Sequence, residues 1–140
     1  MSHEPADPDA IRPPDHLAIR PSSGRGRGVF ATAFIPRGAT IEVAPVIALS
    51  EDDRARIEAT ILYKYYFAWG PDDQRGAAIV VGYGMLYNHS YVPNAIYLKN
   101  LDRDTVDIIA LRNIEPGEEI TVNYNGDPTS REPLWFESRE

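Results

Sequence analysis

A mostly β fold with one short helix is what this sequence predicts, and three observations predict it. Apolar, β-branched runs of strand length, such as Ile41–Leu49 and Ala77–Val81, are separated by Gly and Pro turns. No βαβ alternation is sustained along the chain, which argues against a doubly wound sheet. Ile35-Pro-Arg-Gly-Ala-Thr-Ile41 is echoed by Ile114-Glu-Pro-Gly-Glu-Glu-Ile120, with Ile, Gly and Ile at the same spacing. In each copy a proline-containing turn closes on a glycine able to take a positive φ and then enters a strand, as two related sheet corners would.

The elements follow in order. Residues 1–16 are polar and carry Pro5, Pro8, Pro13 and Pro14, the composition of an extended or disordered arm. His16–Arg20 reads as a first strand, Pro21–Gly28 as a glycine-rich loop and Val29–Ala31 as a short strand. Pro45 puts the Ile41–Leu49 strand at an edge or a bend. Ser50 followed by Glu51, Asp52 and Asp53 is a helix start, a side-chain cap with acids suited to the dipole, and the helix should run to about Thr60. Tyr63–Trp69 is rich in aromatics, Pro71–Gly76 is a turn, and Tyr97–Leu111 holds two strands joined near Asp102-Arg103-Asp104.

With 140 residues, 43% of them apolar and 25% charged, the chain has the profile of one soluble globular domain. No run approaches the roughly 18 apolar residues of a membrane helix, and the N-terminus has neither the basic start nor the apolar stretch of a secretory signal, so a cytoplasmic address is expected. There is no cysteine, which excludes disulfides and thiolate zinc sites, and His3, His16 and His89 show no metal-ligand spacing. A net charge of −7 argues against nucleic acid as a direct partner and for a basic one, although acidity also serves solubility alone.

Three blocks carry the chemistry: Gly24-Arg-Gly-Arg-Gly-Val-Phe-Ala31, Tyr87-Asn-His-Ser-Tyr-Val-Pro-Asn-Ala95 and Gly117-Glu-Glu-Ile-Thr-Val-Asn-Tyr124. Taken singly each has a plain structural explanation. Gly24, Gly26 and Gly28 suit a mobile surface turn as well as a backbone that must approach a ligand. A Rossmann loop fails because no useful helix follows, and a phosphate loop fails because no Lys-Ser or Lys-Thr does. Asn88 and His89 would satisfy a tight turn, while a buried Asn also has the donors and acceptor to orient an amino-acid head group. Tyrosines mostly pack with the hydroxyl at a wet edge, and Tyr65, Tyr66, Tyr83, Tyr87 and Tyr91 are each explained in that way. No geometry links Ser, His and Asp into a triad.

In their order, from about Arg25 to Tyr124, the three blocks closely resemble the SET-domain family of protein lysine methyltransferases, in a minimal form without the zinc-bound cysteine clusters that flank many members. The resemblance implies a β-clip-like fold of several small curved sheets over residues 17–140. It implies S-adenosylmethionine as cofactor, with Gly26, Arg27 and Gly28 against its methionine end, Asn88 on the same end and His89 at the adenine through its main chain. Tyr124 takes the place of the family's catalytic tyrosine, and Tyr97, in Pro93-Asn-Ala-Ile-Tyr97, that of a tyrosine lining the lysine channel. Tyr65 joins the cofactor side, and Trp135 or Phe136 would close over the adenine or simply anchor the tail.

Methyl transfer from a sulfonium to an amine is an in-line displacement, so the target lysine must be neutral, whereas free lysine has a pKa near ~10.4. An apolar channel and a nearby positive sulfur both disfavour the ammonium. Phenol oxygens accept weak CH···O contacts from the polarised methyl group, and aromatic faces hold the methylated cation. The expected activity is therefore methylation of a lysine in a basic protein or peptide. The alternatives are a non-catalytic SET-like module that binds basic peptides and a methyltransferase for a small amine. A domain this small is also a candidate to complete its peptide groove as a homodimer.

Overall fold

The computed structural model describes residues 10–134. Among the described residues nine strands form two sheets. β1 (Leu17–Ser22), β2 (Gly26–Ala31), β9 (Glu119–Val122) and β6 (Asn88–His89) make one, in the order β1-β2-β9-β6. The other has the order β4-β5-β3-β8-β7, from β3 (Thr40–Leu49), β4 (Phe67–Trp69), β5 (Gly76–Val80), β7 (Ala95–Asn100) and β8 (Thr105–Ala110). Apolar side chains of both sheets meet in one core, with Val29, Ile120 and Val122 from the first and Ala44, Val106 and Ile108 from the second. The mostly β expectation holds.

Local chemistry explains where the elements begin and end. His16 sits at φ 64, so β1 starts one residue later than the apolar pattern suggests. The glycine-rich stretch expected as a loop is a hairpin: Gly24 (φ 72) turns the chain, Ser22 pairs with Gly26, and Arg20 pairs with Gly28. Gly26, Arg27 and Gly28 therefore belong to a strand. Pro45 lies where β3 changes partner, since Thr40–Pro45 pairs with β8 and Val46–Leu49 with β5. Each half of β3 leaves one side open, and that is where a residue without an N–H is tolerated.

Helix α1 spans Glu51–Ile57, with the Ser50 hydroxyl accepting from the Asp53 N–H at 3.1 Å. It stops three residues short of Thr60. The Thr60 hydroxyl donates to the Ile57 carbonyl at 2.6 Å and accepts from the Leu62 N–H at 3.1 Å, closing one helix while capping a 3-10 helix at Ile61–Lys64. Residues 10–16 carry no helix or strand. The remainder of the expected arm, residues 1–9, lies outside the described residues, as does the tail from 135.

The sequence echo is a structural one. Ile35 and Ile114 exchange both main-chain hydrogen bonds, at 2.9 and 2.8 Å. Around this pair the two corners reach across to each other. The Gly38 N–H donates to the Ala110 carbonyl and the Gly117 N–H to the Ala31 carbonyl, while Ala110 and Ala31 donate back to Ala39 and Glu118. Every one of these positions has the same offset from its own isoleucine, so an approximate two-fold relation joins the sheets. Gly38 and Gly117 hold φ at 84° and 90° with nothing within 4 Å of an added Cβ, so the cost of alanine there is purely conformational. Gly38→Ala and Gly117→Ala should each destabilise by about 1–2 kcal/mol and by similar amounts, measured by urea unfolding. A large loss at one corner and none at the other would refute their equivalence.

Candidate active site

The two later sequence blocks meet through β6 and β9, a parallel pair in which Asn88 lies beside Thr121 and His89 beside Val122. Asn94 reinforces the joint from the far side. Its amide donates to the Glu119 carbonyl at 2.8 Å and its Oδ1 accepts from the Thr121 N–H at 2.9 Å, so a buried side chain stands in for a neighbouring strand.

The glycine block reaches the same joint through β2. The Asn88 amide nitrogen donates to the Arg27 carbonyl at 2.9 Å and to Glu119 Oε2 at 2.7 Å. The Ser22 hydroxyl donates to the other Glu119 oxygen at 2.7 Å. Both amide hydrogens of Asn88 are thereby used on protein acceptors, which fixes the amide orientation and leaves Oδ1 as an acceptor for an incoming cation. Gly28 is required for this packing, since a Cβ there would stand 2.8 Å from Asn88 Nδ2 and closer still to Glu119. A fixed amide oxygen beside a carboxylate, on a strand edge cleared of side chains, fits the ammonium group of an amino acid such as the methionine part of S-adenosylmethionine.

His89 is buried and its ring works inward. Nδ1 accepts from the Tyr124 N–H at 3.0 Å, and the ring meets Tyr91 edge-on at 4.4 Å. Its main-chain carbonyl accepts from Arg25 Nη1 at 3.2 Å. A base that reads the His89 main chain must share that carbonyl with Arg25 or displace it.

Tyr124 is held at three points. Its N–H binds His89, its hydroxyl donates to the Tyr87 carbonyl at 2.6 Å, and its own carbonyl accepts from the Tyr97 hydroxyl at 3.0 Å. Tyr97 also packs edge-on against Phe67, with ring centroids 4.8 Å apart. Burial pushes the Tyr97 phenol up to about 12. It pushes Tyr124 higher, with Tyr65 adding to the effect. Both phenols stay protonated at neutral pH, so neither is a general base; each is a fixed O–H dipole with oxygen lone pairs to offer.

The two tyrosines line a cavity of about 430 Å³, together with Tyr65, Phe67, Met85 and Tyr87. Tyr65 was expected on the cofactor side with Gly28 and Asn88. It stands 41% exposed after the 3-10 helix, on the wall of the tyrosine cavity. Gly26, Arg27, Gly28, Asn88, His89, Tyr97 and Tyr124 do converge, from three strands (β2, β6 and β7) and the segment after β9. Trp135 and Phe136 lie outside the described residues.

These features define a class of protein. The SET-domain family matches residues 26–125, and the chain belongs to that family and is a protein lysine methyltransferase. It is 34% identical over 128 residues to the histone-lysine N-methyltransferase, H3 lysine-37 specific, of Schizosaccharomyces pombe, an alignment covering 91% of this chain and 80% of that protein. Among solved structures, a candidate histone methyltransferase of Plasmodium falciparum is similar at 29% identity with a TM-score of 0.64, over 81% of this chain and 95% of that one. A PRC2 assembly with mutations in Ezh2 shares the fold at 20% identity and the same TM-score of 0.64, over 77% of this chain and 15% of that one.

Sequence reasoning missed Glu119, Arg25 and Glu42. Glu119 lay inside a recognised block as the residue before an apolar strand. Glu42 had no signal beyond being a lone acid within an otherwise apolar strand. It is 2% exposed, and its oxygens accept from the Tyr87 hydroxyl at 2.7 Å and the Tyr83 N–H at 3.0 Å. Gly82, at φ 69, lets the loop wrap this carboxylate, because a Cβ would sit 2.5 Å from Oε2. Glu42 thus anchors the segment that presents the Tyr87 carbonyl and Asn88.

Burial raises the Glu42 carboxyl above its usual 4.5, against the opposing pull of the Tyr83 and Tyr87 hydrogen bonds. The folded state then holds this proton more tightly than the unfolded chain does. The contribution of Glu42 to stability is greatest at acid pH and falls as pH rises from the unfolded to the raised folded value. Wild type should therefore lose stability relative to Glu42→Gln across that window, read from urea midpoints at successive pH values. Parallel curves for the two proteins would place the pH dependence elsewhere.

Proposed function

We propose that this lysine methyltransferase uses S-adenosylmethionine to methylate a lysine of a basic protein. One observation carries the reading. The hydroxyl of Tyr124 is fixed at 2.6 Å from the Tyr87 carbonyl, the main-chain group immediately before Asn88, so the residue suited to align an amine adjoins the residue suited to hold an amino-acid head group. The cofactor supplies a methyl group on a positively charged sulfur. Asn88 Oδ1, backed by Glu119, would accept from its ammonium, and the Gly26–Gly28 edge would leave room for it. His89 offers its main chain to the adenine.

The target lysine enters the tyrosine cavity from the other side. Tyr124 and the Tyr87 carbonyl align its nitrogen with the methyl group, and their oxygens accept CH···O contacts of roughly 0.5–1 kcal/mol each. Tyr97 and Phe67 narrow the channel and set how many methyl groups the nitrogen can carry while still turning toward the donor. A histone tail is the substrate class to test first, given the specificity in the name of the Schizosaccharomyces pombe relative.

Labelled S-adenosylmethionine with a panel of histones, followed by mass mapping, tests the activity. Two variants test the assignments. Asn88→Ala should weaken binding of the cofactor or its demethylated product by about 1–3 kcal/mol, read by calorimetry, with a smaller effect on the melting temperature of the free protein. Tyr124→Phe keeps the ring and should lower turnover about 10- to 100-fold with cofactor affinity nearly unchanged, because the lost hydroxyl acts in the transition state. Wild-type turnover in Tyr124→Phe would refute the catalytic role. Tyr97→Phe should shift the ratio of mono- to higher-methylated product.

A further inference from the structure

The wall of the tyrosine cavity carries a charge pattern opposite to that of the whole protein. The chain has a net charge of −7, yet among the described residues its cavity is lined by Arg54, Lys64 and Lys99 and by no Asp or Glu. Cationic positions in this chain are almost all arginine, twelve against two, and both lysines fall on this one wall.

Lys99 is two residues beyond Tyr97 on β7, so the two side chains share a face of the strand about 6.6 Å apart along it. Its ammonium bonds Gln74 Oε1 at 2.5 Å, a neutral partner that takes one of three donors. Burial, and then the charge of Arg54, lower its pKa. Arg54 itself is committed to the fold. Its Nη1 donates to the Gln74 and Gly76 carbonyls at 2.8 and 3.2 Å, and its Nε is shared by Glu58 and the Tyr66 hydroxyl. Its charge is permanent and its position fixed. Arg54 has Glu58 as an ion-pair partner at 3.2 Å, but among the described residues the half-buried Lys99 ammonium has only the neutral Gln74 as a hydrogen-bond partner. No carboxylate lines the wall among those residues, so an entering anion would relieve its desolvation.

We infer that Lys99, with Arg54 behind it, forms a subsite for an Asp or Glu side chain of the substrate, about two residues from the target lysine. This rests on the lysine-channel reading above. An extended peptide rises about 3.3 Å per residue, so a lysine passing Tyr97 puts a residue two positions away near Lys99. The pairing is charge-assisted and partly desolvated, the setting in which such contacts discriminate. The same cations would disfavour Lys or Arg at that position, and so select one lysine from among many in a basic tail.

The test uses synthetic 11-residue peptides in a Gly/Ser/Ala background with one central lysine and Glu, Ala or Arg two positions before or after it. A parallel set replaces the central lysine by norleucine, so that binding is read by fluorescence anisotropy without turnover. For one of the two positions, Glu should bind about tenfold more tightly than Ala, and Arg more weakly than Ala. Lys99→Met, which keeps most of the aliphatic stem, should bring all three to within about twofold, while Lys99→Arg retains the order. Affinity of Lys99→Met for the demethylated cofactor should match wild type, showing an intact fold. Equal binding of the three peptides by wild type, no detectable binding of any, or an unchanged order in Lys99→Met would overturn the subsite. A Glu preference in the norleucine set with no methylation of any lysine peptide would uphold the subsite and refute the activity reading instead.

Discussion

The two-residue parallel pairing of Asn88–His89 with Thr121–Val122 is the constraint on which the rest of the site depends. So short a parallel ladder is weak by itself. The molecule supports it with side chains that imitate backbone: Asn94 supplies β9 with an acceptor and a donor, and His89 Nδ1 takes the Tyr124 N–H where no strand continues. Buried main-chain groups that have left the sheet are thereby satisfied just where the functional side chains must project. Tyr124 follows β9, Asn88 lies in β6, and the register between those strands sets their separation.

Space around that joint is settled by absent atoms as much as by contacts. Gly28 admits the Asn88 amide and the Glu119 carboxylate to the edge of β2, and Gly82 admits the loop to Glu42. The two carboxylates play parallel parts on opposite sides of β6. Glu119 orients Asn88 from the side of β2, and Glu42 holds Tyr87 and the turn before it from the core. Leaving either acceptor out would strand buried donors, at about 1–3 kcal/mol each. A small domain with a modest core has little stability to spare for such losses.

Much of this was legible in the chain. The mostly β class followed from strand-length runs and turn residues, and the Ile-x-x-Gly-x-x-Ile echo marked the two corners that pair at Ile35 and Ile114. Three motifs in order located Gly28, Asn88 and Tyr124. What stayed hidden depends on contacts distant in sequence. Gly26-Arg27-Gly28 looked like a loop because glycine is poor in strands, and only pairing with β1 makes it one. The resemblance puts Tyr65 on the cofactor side, and the 3-10 helix at Ile61–Lys64, which the pattern did not announce, sets it on the wall of the tyrosine cavity instead. Glu42 is a single acid in a strand, and only its partners 41 and 45 residues away reveal its task.

Charge works on two length scales in this molecule. At distances near the Debye length of about 8 Å a net charge of −7 would favour the approach of a basic tail, were that the substrate. Inside the cavity that average matters less, because the charged side chains lining it, among the described residues, are Arg54, Lys64 and Lys99. On the proposed lysine-channel reading, an incoming lysine would leave a field that attracts its ammonium and pass cations on the wall that oppose it. The reversal has a chemical use. On the proposed methyl transfer it would add to desolvation in lowering the pKa of the entering amine, and only the neutral amine has a lone pair to accept the methyl group. A uniformly acidic cavity would bind the ammonium well and hold it in the unreactive form. Tyrosines that stay protonated at neutral pH avoid that trap, since they offer oxygen lone pairs without a negative charge.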